Sequence, residues 1–320
     1  MSADENKHDR LFQFKIELAS PSPSLYANAL QQVALTVTAE VHPGEEGFTE
    51  GEAASLSIGW RDDRGEYRRL PFNDDGLHPW FVTTDRNGYD FIPAADIDVL
   101  TEQSAHADSL LQPRVRKTLY VSSRAIEQKI ELYATIGLTA GEGERDYYSD
   151  GDDFDSMVEL STLRAIPLQP GNFDFVEHVR RDNGDLSVYE YTLAVAGGTA
   201  PALRIVQANM APAGMIKWAD RNQSERRASH VGFAPPRSRT YLYNTAIVLG
   251  PNFRPEPTVQ WPVGDHVTLI IEGGNTIPYH SASELEQGGP CVLRLHDNFG
   301  NEHEVTISFD PENRFQLLLG

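Results

Sequence analysis

Period-two alternation of apolar and polar residues runs through this chain and decides its fold class. Val33, Leu35, Val37, Ala39 and Val41 share one face of an extended run, with Ala34, Thr36, Thr38 and Glu40 on the other. Phe12, Phe14, Ile16 and Leu18 follow the same rule, as do Leu56, Ile58 and Trp60, and then Leu132, Ala134, Ile136 and Leu138. Successive side chains of a strand point to opposite faces, so each run reads as a half-buried strand, and their number points to two-sheet sandwiches. Four polar breaks punctuate the runs: Asp62–Gly65, Asp85–Gly88, Arg181–Gly184 and Asp297–Gly300. Asp and Asn bond to nearby backbone and Gly accepts positive φ, so each break is expected to close a hairpin.

The second half repeats this grammar. Leu203 and Ile205, then Val267, Leu269 and Ile271, then Leu293 and Leu295, then Val305, Ile307 and Phe309 form a second strand set. Leu186 and Val188 differ in parity from Tyr189, Tyr191, Leu193 and Val195, a switch that a β-bulge would explain. Between the halves, Ile166-Pro-Leu-Gln-Pro-Gly171 carries two prolines and a glycine and reads as the domain boundary. The organisation is therefore a tail over 1–9, a sandwich over 10–166, a linker over 167–171 and a second sandwich over 172–320. One stretch departs from period two. Ile97, Leu100, Ala107, Leu110 and Leu111 lie among polar residues before Pro113, which predicts a short helix or helical turn near 94–111.

Composition narrows the functional classes. With 40% apolar residues in 320, the chain can fill two cores. A net charge of −20 opposes nucleic acid and anionic lipid surfaces and favours solubility or a basic partner. The polar start lacks an apolar signal core, and no later run is long enough to span a bilayer. Cys291 stands alone, so no internal disulfide forms. A cytoplasmic location and export by a signal-independent route both fit.

The tandem pattern resembles the immunoglobulin-like modules of bacterial proteins. The resemblance rests on Asp182-Asn-Gly184 and on Asp297-Asn-Phe-Gly-Asn301 followed by Val305-Thr-Ile-Ser-Phe309, which look like closing hairpins of such modules. The cysteine pair and core tryptophan of antibody-type domains are absent. The resemblance implies adhesion, scaffolding or interaction and transfers no catalytic residue.

Asp150, Asp152, Asp153 and Asp155 concentrate carboxylates in one loop, which suits a hard cation such as calcium, although the ligand order of an EF-hand is not met. A solvated acidic loop is the competing reading. Tyr147 and Tyr148 beside it are expected to be exposed and able to stack on a ligand. Lys217, Arg221, Arg226, Arg227, Arg237 and Arg239 crowd into 23 residues against only Asp220 and Glu225, a local +4. They could dock on the chain's own acidic loop, on a partner or second copy, or be solvated. Pro79-Trp80-Phe81, Tyr241-Leu-Tyr243 and Trp261-Pro262 are aromatic clusters that could line a sugar or peptide groove or fill cores.

His296 and His303 fall on opposite faces of their strands, which rules out a shared zinc. Cys291 opens an apolar strand and reads as a buried small hydrophobe. No nucleophile elbow, His-Glu-x-x-His pair or phosphate-binding loop occurs. The expectation is a non-enzymatic protein without a resident cofactor, acting on a protein partner or as a homo-oligomer. A calcium- or carbohydrate-binding module and a bacterial toxin or effector component are the alternatives.

Overall fold

A computed structural model describes residues 10–93, 113–140, 143–150, 154–182, 186–197, 202–218, 228–250, 253–274, 277, 287–313 and 315–320. The helix expected near 94–111 and the tail over 1–9 lie outside these residues. The fold is all-β. The chain divides between Ala165 and Ile166 into two compact units. Among the described residues no helix is long and apolar enough to cross a membrane.

The first unit contains β1 (Leu11–Leu18), β2 (Ser24–Tyr26), β3 (Val33–Val41), helix α1 (Glu50–Ser55), β4 (Ser57–Arg61), β5 (Tyr67–Arg69), β6 (Trp80–Thr83), β7 (Arg114–Ser123), β8 (Lys129–Ala140), β9 (Gly143–Tyr148) and β10 (Met157–Leu163). One sheet runs β1-β3-β7-β6 and the other β2-β10-β8-β4-β5, with β9 also on β8. Every pairing among these strands is antiparallel except β2 with β10. Phe14, Ile16, Leu35, Val37, Leu119 and Val121 from the first sheet meet Ile58, Leu132, Ala134, Ile136 and Leu160 from the second in one core. The alternation read from these runs is thus the inward face of a two-sheet sandwich.

Strands β9 and β10 lie one after the other along β8. Two serines fasten the ends that face each other. Ser149 accepts from the Ala134 amide at 2.9 Å and donates to the Ser156 carbonyl at 2.7 Å. Ser156 accepts from the Ile16 amide of edge strand β1 at 3.0 Å, so a side chain satisfies a backbone group the sheet leaves unpaired.

Helix α1 had no strong sequence signal, because six residues give no readable periodicity. A capping box forms it: the Glu52 amide donates to Thr49 Oγ1 and the Thr49 amide donates to Glu52. Glu52 is buried and also accepts from Arg10 at 3.1 Å and from the Thr139 amide at 3.2 Å.

The second unit contains β11 (Phe173–Asp182), β12 (Leu186–Val195), β13 (Ile205–Ala211), β14 (Ile216–Trp218), β15 (Ala228–Ala234), β16 (Val267–Gly274), β17 (Cys291–Asp297), β18 (Glu302–Phe309) and β19 (Leu317–Leu319). Its sheets run β11-β12-β16-β15-β14 and β13-β17-β18-β19. Tyr191, Leu193, Leu269 and Ile271 pack against Leu293, Leu295, Val305 and Ile307. Cys291 is fully buried there, and burial pushes its thiol up to about 11. His303 lies buried on the Val305 and Ile307 face, whereas His296 stays on the other and partly exposed. Leu168 packs on this core and its amide donates to His303 Nδ1 at 3.0 Å, so the stretch expected as a linker is docked from Leu168 onward.

The parity switch in β12 has a different cause from the bulge expected. Strand β12 pairs with β16 without interruption, and the bulge sits in β11 between Val179 and Arg181. Both faces of β12 are covered: Tyr191 and Leu193 face the inter-sheet core, while Val188 faces a second cluster with Ala234, Tyr241 and Ile270. Tyr241, Tyr243 and Val259 pack on the outer face of this sheet and form that second layer.

The hairpin expectation holds at three of the four breaks. Gly65 and Gly300 take φ of 77° and 82°, the left-handed conformation those turns need. The β11–β12 connection closes the third. Asp85–Gly88 closes no hairpin among the described residues; the Asn87 amide instead docks on Gln32 at 2.8 Å.

The cover of the second unit rests on buried carboxylates. Glu190 is 2% exposed and accepts from the Gln260 and Trp261 amides, both at 3.0 Å, and from the Tyr241 hydroxyl at 2.6 Å. Glu272 is fully buried and accepts from the Glu256 amide at 2.8 Å. Burial, then the Glu190 acceptor, drives the Tyr241 phenol far above its ordinary range, so it remains a donor. Tyr243 lies flat over Gly232, where a β-carbon would come within 2.5 Å of the ring.

Two stability outcomes follow from these carboxylates. Glu190→Ala should destabilise the second unit by about 3–5 kcal/mol, the range for breaking a buried charged network, as read by urea unfolding. For Glu52, burial alone would raise its pKa, but the Thr49 amide, Arg10 and the Thr139 amide outweigh burial and hold it below 4.5. Its contribution is therefore present at neutral pH and lost as pH falls below that value. Glu52→Ala should cost about 2–3 kcal/mol at pH 7. The gap to wild type should narrow in unfolding curves recorded below about pH 4.

Candidate functional site

The sandwich core of the first unit runs out at one end, where a cleft of about 560 Å³ opens. Trp60, Leu70, Trp80 and Ile130 line it, and each also belongs to or packs on the core. Trp60 follows Ile58 at period two and pairs with Leu132 across β4 and β8, so its ring is the last inward residue of that strand. Pro71 and Pro79 stiffen the two segments that bound the opening. The Pro79-Trp80-Phe81 cluster thus divides its work: Pro79 and Trp80 line the cleft, while Phe81 is buried without lining it.

The rim is charged. Arg61, Asp63, His78, Lys129, Glu131 and Glu159 border the apolar floor. Most are already paired within the unit. Lys129 bonds Glu159 at 2.6 Å, and Glu131 accepts from the Tyr133 hydroxyl at 2.9 Å. His78 meets Asp75 at 2.8 Å, and the His78 amide and ring, with the Leu77 amide, hold that carboxyl far below its ordinary range. Among the described residues no serine, threonine or cysteine lines the cleft.

Arg61 joins the cleft to the acidic loop. Its guanidinium lies 4.6 Å over the Tyr67 ring and 5.9 Å from that of Tyr133, and it donates to both the Tyr67 hydroxyl and Asp150. Tyr67 also donates to Asp150. Burial, then the Glu131 bond, pushes the Tyr133 phenol up to about 12, so it too stays neutral. Arg69 pairs with Asp146 on the same outer face. The outcome is a layer of tyrosines and arginines that covers the sheet and fixes the rim.

This layer corrects the expectation for the paired tyrosines. Tyr147 and Tyr148 are 6% and 7% exposed, not displayed on a loop. They sit on β9, so alternation sends Tyr147 into the core and Tyr148 to the outer face. There Tyr148 stacks on Tyr67 with centroids 4.1 Å apart. Gly59 makes room for it, since a β-carbon would come within 2.9 Å of the ring.

The carboxylate loop divides as well. Asp150 is engaged by Arg61 and Tyr67, and Asp155 is exposed with a φ of 39°. Asp152 and Asp153 lie outside the described residues. Among the described residues no group of three or more His, Cys, Asp or Glu is placed to hold a metal. In the basic cluster, Lys217 lies 6.0 Å from the Phe309 ring centroid and Arg237 pairs with Asp265 at 2.7 Å. Arg239 begins the cover, where its carbonyl accepts from the Val259 amide at 3.0 Å. Arg221, Arg226 and Arg227 lie outside the described residues.

Sequence reasoning missed Arg61, Tyr67 and Ile130 as site residues. Arg61 was hidden because its partner Asp150 stands 89 positions away. The Arg61–Asp150 pair should be measurable by a double-mutant cycle. Arg61→Leu should destabilise the first unit by about 1–2 kcal/mol, less than a fully buried pair because Arg61 is half exposed. Adding Asp150→Asn should recover part of that loss in urea unfolding.

Compared with known protein families and with curated proteins, the chain matches none.

Proposed function

We propose that this chain is a non-enzymatic interaction protein whose first unit receives an apolar anchor of a protein partner in the cleft. The observation that carries the reading is the floor of Trp60, Leu70, Trp80 and Ile130, core residues left open at the end of a rigid sandwich. Aromatic and aliphatic pockets ringed by charge are where binding energy concentrates in protein interfaces. Phe72 and Leu77 support it, being 48% and 84% exposed beside Pro71 and His78 of the lining. His78, Lys129, Glu131 and Glu159 of the rim already hold partners within the unit, so the apolar floor is the surface they leave to a ligand. Immunoglobulin-like modules also place recognition at the ends of the sandwich, which agrees with the sequence resemblance.

A displayed random-peptide library selected against the whole chain tests this. Enriched peptides should share one large apolar residue flanked by charge. Ile130→Arg, which fills the floor with a cation, should weaken their binding by about tenfold or more, as loss of a central anchor does. Failure to enrich any sequence, or binders indifferent to Ile130→Arg, would remove the cleft from consideration.

A further inference from the structure

The second unit carries an aromatic ring that the cleft reading does not use. Trp261 is 44% exposed, although indole is among the side chains a fold gains most by burying. It is nevertheless held from two sides. Its amide donates to Glu190, whose carboxylate is 2% exposed. Its ring lies on the His178 imidazole with centroids 3.7 Å apart and planes 16° from parallel. His178 is itself oriented, since Nε2 meets Thr192 Oγ1 at 3.1 Å. One indole face is covered by imidazole, and nearly half of the residue's surface stays in water.

The surroundings select a ligand chemistry. Val176 is two residues from His178 on the same face of β11 and is 46% exposed. At about 3.3 Å per residue, the apolar strip from Val176 to His178 spans roughly 7 Å, longer than one sugar ring. Gln260 precedes the indole and is exposed, and Arg181, half exposed, joins the network around Glu190 through Glu256 at 3.4 Å. Arg180 is directed inward, at 2.9 Å from Glu256 and 3.5 Å from Glu190, so it braces the site. A flat aromatic face edged by amide, guanidinium and carboxylate groups suits the apolar face of a pyranose with its equatorial hydroxyls outward. Strand β11 ends its sheet, but its open backbone edge lies in the plane of the sheet, whereas the ring rests on the His178 side chain over the sheet face, where a flat ligand stacks.

We infer that Trp261, stacked on His178 and anchored by Glu190, is a platform for a pyranose ring of an oligosaccharide, a second binding site independent of the cleft. Gln260 and Arg181 would contact hydroxyls, and Val176 would extend the contact toward a neighbouring sugar. His178 and Glu190 are positioning residues that hold the ring in place.

The experiment titrates the whole chain with cellohexaose, chitohexaose, maltohexaose and xylohexaose, reading tryptophan fluorescence and calorimetry. At least one should bind at millimolar concentration or below. Trp261→Ala should weaken that binding by about tenfold or more, the loss of one good contact. His178→Ala should weaken it less while leaving the saturated enthalpy similar, because the ring remains and only its orientation is freed. Should Trp261→Ala lower the melting temperature, Trp261→Phe keeps a ring in place and should bind with intermediate affinity at wild-type melting. Ile130→Arg in the cleft should leave sugar binding unchanged, which separates this site from the first. No binding by any of the four sugars, or binding that Trp261→Ala leaves intact, would overturn the inference.

Discussion

Backbone amides of irregular segments that lie over a sheet must find acceptors, and carboxylates from beneath supply them. That constraint shapes both units. In the second unit Glu190 accepts from Gln260 and Trp261 and Glu272 from Glu256; in the first the carboxylate stands on the helix, where Glu52 accepts from its own cap Thr49 and from Thr139 of β8. An unsatisfied buried amide costs about 1–3 kcal/mol, so each covering segment would lift off without its acceptor. An ionised carboxylate accepts several bonds at once and can serve two consecutive amides, as Glu190 does. Arg10 and Arg180 then offset the buried charge. Part of the acidic excess of the sequence is thereby structural.

The same layer determines what remains available to a ligand. In the first unit Tyr67, Tyr133 and Tyr148 cover the outer sheet face and lock Arg61, so the accessible apolar surface is pushed to the end of the sandwich, at Trp60, Trp80 and Ile130. In the second unit Tyr241 and Tyr243 fill the space beneath the cover, and Tyr243 stacks on His230 at 5.0 Å. Tyr148 and Tyr243 are admitted where the strand beneath offers a glycine, Gly59 and Gly232 respectively. Tyrosine suits this position because its ring fills volume while its hydroxyl finds a carboxylate or carbonyl.

Much of the fold was legible because period two maps directly onto a sheet face, and Val33–Val41, Ser57–Arg61 and Glu302–Phe309 display it without interruption. Legibility failed where each face of a strand meets an apolar core of its own. In β12 the residues Val188 and Tyr191 belong to different cores, and a pattern with two answers resembles a slip in register. It failed again at Tyr147 and Tyr148, where a dense run of carboxylates suggests a loop although β8 pairs with the tyrosines and forces one to each face. The cleft could not be read in advance. Its lining comes from segments between Trp60 and Glu159 that only the sandwich end brings together.

The aromatic residues also show how occupied and available surface can be told apart. Tyr148, Tyr241 and Tyr243 each have a ring partner or a buried hydroxyl partner and little exposure, so their contacts within the chain account for them. Trp261 has equally specific contacts yet keeps nearly half its surface in water. The Glu190 carboxylate holds the Trp261 backbone as it holds that of Gln260, and the histidine stacked at 3.7 Å then fixes the ring itself. Orientation of an exposed ring has no value for folding, because burial, not direction, stabilises an apolar group. It has value for binding, where a preorganised ring loses less entropy when a ligand arrives.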